Sequence, residues 1–263
     1  MAKPTKSQRN ERQQRIEATL KKQRSGEKRR GNLVIGLAVL IALGLIAIPV
    51  APRILGKVEL DKYADTPLTE IGAPASACRA PEEKPGSGVA NHVDEGVPVT
   101  YDIAPPAYGP HWNVFNVAPA PFVDKFYEAA DRPPLEALVH NLEHGYTILW
   151  YDETIADDVT ALAQVKAIAS KFDLDNATNA DYRNKFIAAP WTDDDENGAD
   201  FPDGTHIAFT HWSKSDDPKI TTEDGQVADS IGIWQYCTDV SGAALAQFMQ
   251  DYPYTDAPEA SVI

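Results

Sequence analysis

Six histidines occur in the chain, all between residues 92 and 211, and four of them stand in segments where chemistry is conceivable. His140 and His144 belong to HNLEHGY, an H-x-x-E-H spacing with Glu143 between them. With Pro134 opening a helix and Gly145 stopping it, the i,i+4 spacing puts both imidazoles on one face. At about 100° per residue, Leu135, Leu138 and Leu142 fall together, so the two histidines are expected to point away from that apolar stripe, toward solvent, a second layer of the domain or a metal ion. His111 sits in PPAYGPHW, a turn stiffened by proline and glycine, and His92 precedes the first expected strand. His92, His111, His140, Glu143 and His144 are therefore the candidate metal ligands, and a mostly imidazole set suits copper or zinc. The alternative is that these rings hydrogen-bond backbone in tight turns and lock the fold. His206 and His211 are five apart, so on one strand they face opposite sides and cannot act as a pair.

Two other motifs could carry chemistry. H-x-x-E-H is the order found in inverted zinc peptidases, where the glutamate is the general base, but a third ligand on a further helix is not identifiable. DDDENGADFPDG matches the first half of a calcium loop through Asp193, Asp195, Asn197 and Gly198, yet Gly204 stands where the bidentate Glu belongs. Read as calcium ligands, Asp193, Asp195 and Asn197 form only half a site.

Positioning these groups requires a folded domain of mixed elements. Strands are expected at Val97 to Ile103, Tyr146 to Tyr151, His206 to Trp212 and Ile231 to Tyr236, from alternation and β-branched or aromatic content. Helices are expected from Pro121, from Pro133, over a long stretch from Glu153, and from Ser241. The order suggests an α+β fold: a small mixed sheet flanked by helices over 89–263, entered through a Pro- and Gly-containing stalk over 54–88.

Charge divides the chain more sharply than composition does. The first thirty residues hold 11 Lys and Arg against 3 Asp and Glu, whereas Arg53 to Ile263 holds 13 against 36. Between them, Gly31 to Pro52 carries no charge, and Leu33 to Ala51 is an apolar run of 19 residues. As a helix that run would be about 28 Å long, close to the hydrocarbon thickness of a bilayer. It lies too far from the N-terminus for a cleaved signal peptide. The expected organisation is a basic cytoplasmic tail over 1–30, one transmembrane helix over 31–53, and an extracytoplasmic C-terminal domain, oriented by the positive-inside rule. The acidic outer part argues against a nucleic-acid partner, which needs a positive surface. In an oxidising compartment Cys78 and Cys237, the two cysteines, read as a structural disulfide.

HVDEGVPVTYDIAPPAYGPHW, then VHNLEHGYTILWY, a late Cys and a terminal APE together resemble the actinobacterial domain-of-unknown-function family numbered 3105. The likeness runs from about His92 to Glu259 and picks out His92, Tyr101, Pro105, Pro106, Gly109, His111, His140, Glu143, His144, Gly145 and Tyr146. Tyr108 stands where the family more often has Ser. The resemblance implies a single-pass membrane protein with an outer domain and no established reaction. It also implies an accessory subunit of an envelope assembly, such as the cytochrome bc1-aa3 respiratory supercomplex.

Two functions follow as expectations. The acidic domain could be an interaction module among membrane-protein subunits, steering a basic partner such as a cytochrome c domain through its negative field. Alternatively it could hold copper or zinc on its histidine cluster. Neither requires the protein to be an enzyme.

Overall fold

A computed structural model describes residues 54–113, 124–173, 185–195, 198–215, 217, 220–222, 225 and 227–260, with scattered positions before residue 54. Most of the expected transmembrane span over 31–53 therefore lies outside the described residues. Among those described, no helix is long and apolar enough to cross a membrane. The chain divides into two compact units, Met1–Ile54 and Leu55–Ile263, and the second holds all the candidate ligands.

Its centre is a mixed sheet of five strands in the order β1-β7-β6-β4-β5. These are β1 (Glu82–Gly86), β4 (Thr147–Tyr151), β5 (Phe186–Pro190), β6 (Ile207–Lys214) and β7 (Ser230–Cys237). Only β4 and β5 pair in parallel; the other neighbours are antiparallel. The sheet is covered on both sides, so β4 and β5 are buried along their whole length and read as apolar runs, not as alternating strands. Leu149 and Tyr151 face one core with Phe186, Phe209 and Phe248. Ile148 and Trp150 face a second core with Trp212, Trp234 and Leu138.

The first core is closed by helices α2 (Glu153–Asp157), α3 (Val159–Ser170) and α4 (Gly242–Asp251), of which α3 and α4 supply most of its helical apolar side chains. The second is closed by α1 (Leu135–Glu143) and the Pro-rich segment around Ala107. That second layer carries the histidines. Two very short strands, β2 (His92–Val93) and β3 (His111–Trp112), pair in parallel beside it, with His92 opposite His111.

Several expectations are corrected. Val97 to Ile103 is not a strand: the Val99 N–H donates to Glu136 Oε1 at 3.0 Å, and the Tyr101 hydroxyl donates to the Pro110 carbonyl at 2.8 Å. Side-chain partners thus take up what a sheet ladder would have used. The helix expected from Pro121 is absent over its described part. There Lys125 and Tyr127 hydrogen-bond Ala188 along the outer edge of β5. The long helix from Glu153 breaks at Asp158, whose carboxylate accepts from the Thr160 and Ala161 N–H groups at 2.8 Å each and so caps a new helix. The segment read as a stalk over 54–88 holds β1, an edge strand of the main sheet, and 3-10 turns at Leu68–Glu70 and Ala75–Ala77.

Cys78 and Cys237 form the expected disulfide, across an isolated bridge between the chain before β1 and the end of β7.

Candidate metal centre

Helix α1 is built from good helix formers and begins after Pro134, where the missing N–H costs nothing. Gly145 ends it in the left-handed conformation, with φ of +87°. A Cβ at Gly145 would also strike the Tyr254 carbonyl, so no other residue fits this stop. The face of α1 that carries the two histidines lies off the leucine stripe and packs against a second layer of the protein, so that Glu136 to Glu143 is buried on every side. His140 is 3% exposed, His144 5% and Glu143 0%, so the polar face of α1 points into the protein.

The rings of His92, His111 and His140 form a triangle, with centroids 4.9, 4.9 and 5.4 Å apart. Glu143 closes the group, and one ligand atom from each of the four lies within 4.8 Å of the others. His111 is wholly buried, and its Nδ1–H donates to the Gly109 carbonyl at 2.8 Å. Gly109 reaches that position with φ of +136°, a conformation that a side chain would strain. With Nδ1 so occupied, His111 Nε2 is the nitrogen that faces Glu143 Oε2 at 2.9 Å. A bare ring nitrogen and a carboxylate at that distance need something positive between them, either a proton or a metal ion. The fixed backbone bond on the far nitrogen is the arrangement that orients metal-bound histidines.

Glu143 is held on its other side by the Ala90 N–H, which donates to Oε1 at 2.5 Å. Burial would push its pKa upward, but the hydrogen bonds from His111 and Ala90 outweigh that and hold it below the usual carboxylate value. His92 Nε2 lies 3.7 Å from Glu143 Oε2 with its side chain 33% exposed, so the group opens to solvent on the His92 side. His140 Nε2 meets His144 Nε2 at 2.8 Å, and His140 Nδ1 is buried with no hydrogen-bond partner.

His144, one of the expected ligands, is not one of these four. It falls into a second group with Glu143 and Glu259. Glu259 escaped the sequence reading as a ligand; the terminal APE was its only signal, and nothing in that tripeptide says which helix it meets.

The residues of the calcium half-site have other surroundings. Asp195 is bound by Arg132 through both oxygens, at 2.6 and 2.7 Å, and also accepts from Thr192, so its charge is already paired. Asp193 lines an acidic surface cavity, and Asn197 lies outside the described residues. His206 pairs with Asp152, while His211 contacts Asp256 and the Tyr146 carbonyl, so the two act separately as their spacing requires.

Burial, reinforced by the neighbouring rings of His144 and His111, pushes the His140 pKa down to about 3, and burial lowers that of His144 as well. His140 stays neutral in the fold where the unfolded chain takes up a proton, and His144 resists protonation in the same sense. Metal-free protein should therefore lose stability as pH falls below about 6.5, by at most about 1.4 kcal/mol per pH unit per histidine. For His140 the loss ends near pH 3. Glu143 adds a loss in the same direction at lower pH, because its contribution is complete above its unfolded value of 4.5 and fades through the lowered folded one. Urea denaturation at pH 7, 5.5 and 4.5 checks this, and a flat profile would contradict it.

No curated protein and no solved structure gives a significant match. One family model does, over residues 92–262, a span that takes in all six histidines, Glu143 and Glu259. By that match the chain belongs to the family described as a protein of unknown function, DUF3105.

Proposed function

We propose that this protein is a membrane-tethered domain on the outer face of the cell that binds one copper or zinc ion through His92, His111, His140 and Glu143. The observation that carries this reading is the buried, unpartnered Nδ1 of His140, in a ring triangle completed by a carboxylate. A polar atom buried with nothing to bond costs about 1–3 kcal/mol, and a ligand role gives it a partner. Three imidazoles and a carboxylate from three separate segments suit Cu(II) or Zn(II), and the solvent side at His92 leaves room for a further ligand. The disulfide supports an oxidising compartment. The basic tail and uncharged run support the tether.

Elemental analysis of full-length protein purified without chelators tests the reading. About one equivalent of copper or zinc is expected, falling below about 0.1 in His111→Ala and His140→Ala. Wild-type protein that arrives metal-free and binds neither ion on titration would refute it.

The acidic balance of the outer part supports a second reading, an accessory subunit of a membrane complex that meets a basic partner. Co-purification of membrane subunits, lost at high salt, is its test.

A further inference from the structure

Glu143 belongs to two donor groups at once. Its carboxylate also lies within 4.8 Å of a ring nitrogen of His144 and a carboxylate oxygen of Glu259, which are themselves that close to each other. We propose that the site is dinuclear: a second divalent transition-metal ion binds between His144, Glu259 and Glu143, and Glu143 bridges the two ions. The proposal rests on the single-ion reading above.

Glu259 is placed there by its backbone. Its N–H donates to the Glu143 carbonyl at 3.0 Å, and its own carbonyl faces His144 Nδ1 at 3.3 Å. The Glu259 carboxylate is not used in either contact. Its Oε2 lies 3.9 Å from His144 Nδ1, too long for a hydrogen bond. Two donors that share one ion at about 2.1 Å each stand about 3–4 Å apart, so this gap fits a common ligand better than a direct bond. His144 is buried while Glu259 is 34% exposed, which gives the second position its own route to solvent.

The two positions are not equivalent. A neutral imidazole has one bare nitrogen, and the 2.8 Å contact between His140 and His144 needs one hydrogen. With His140 Nδ1 on the first ion, His140 Nε2–H donates to His144 Nε2 and His144 carries its hydrogen on Nδ1. A second ion must displace that hydrogen or break the contact. Lys185, buried with its ammonium donating to the His144 and Ala260 carbonyls, opposes a further cation as well. The second ion therefore binds more weakly than the first.

Calorimetric titration of metal-stripped, detergent-solubilised full-length protein with Zn(II) tests this. Two steps are expected, the second at least about tenfold weaker. Glu259→Ala keeps the backbone contacts that position this segment, and circular dichroism verifies its fold; it should abolish the second step and leave the first. His92→Ala, at an exposed ring, should weaken the first by tenfold or more. A single step in the wild type overturns the dinuclear proposal and leaves the one-ion reading standing. So does a second step that survives in Glu259→Ala, since that would mark a surface carboxylate elsewhere. No step in the wild type overturns both. Loaded with two equivalents of Cu(II), the protein should lose the paramagnetic signal of an isolated ion through coupling across Glu143, and an unaltered isolated-ion signal would count against a bridge.

Discussion

Glu143→Ala is expected to destabilise the metal-free protein by about 3 kcal/mol, from the buried polar group left unpartnered and the void together. Glu143 and His111 are both fully buried and meet at 2.9 Å, and the same carboxylate accepts the Ala90 N–H. Alanine leaves the Ala90 N–H without its acceptor and His111 Nε2 without its partner, and it opens a void between α1, β3 and the turn at Ala90. Glu143 joins these three segments through one side chain, so the loss should appear as a large fall in the urea midpoint. Glu143→Gln separates the causes. It keeps an oxygen for Ala90 and fills the void, so it should cost less than about half as much. It removes the charge, however, and should abolish metal binding as completely as alanine does. Equal losses of stability in the two variants would mean that the charge, not the packing, holds the layer together.

How far this site could be read from the sequence depends on how each residue is held. His140, Glu143 and His144 were legible because Pro134 and Gly145 bracket one helix, whose period then fixes their relative placement. His111 was legible through the prolines and glycine before it. Their burial was not legible: a helix with His, Asn and Glu on one side looks solvent-facing until a second layer covers that side. Here the covering layer is the irregular segment around Tyr101 and Ala107, whose structure is set by hydrogen bonds to Glu136 and Pro110, not by any sequence period. The sheet shows the same division. β4, β6 and β7 announce themselves by β-branched and aromatic content, while β1, with the sequence EEKPG, is charged and carries a proline, as an exposed edge strand tolerates. β5, with the sequence FIAAP, is too short and alanine-rich to stand out, and only its parallel partner β4 makes it a strand.

Removing the disulfide, by Cys78→Ala with Cys237→Ala, should lower stability by up to about 5 kcal/mol while leaving metal affinity within about twofold. The cross-link closes a loop with a sequence separation of 159, and by the chain-entropy model a loop of that size restricts the unfolded chain by about that amount. Its effect on the folded state is smaller, because noncovalent contacts hold the same junction. Arg79 N–H donates to the Tyr236 carbonyl at 2.8 Å and Thr238 N–H to the Ala77 carbonyl at 2.9 Å, so the strand ends stay paired without sulfur. Alanine is the right replacement, since Cys237 is fully buried and a serine hydroxyl there would add a desolvation cost of its own. Cys237 packs in the core under α3 and α4, whereas His111 and His140 lie with α1 on the opposite face of the sheet. A loss confined to the unfolded state leaves the histidine triangle as it was. Denaturation and Zn(II) titration of the same double variant therefore decide the matter. Falling stability with unchanged affinity places the cross-link's action in the unfolded chain, and a parallel loss of affinity would mean that the two faces of the sheet are mechanically coupled.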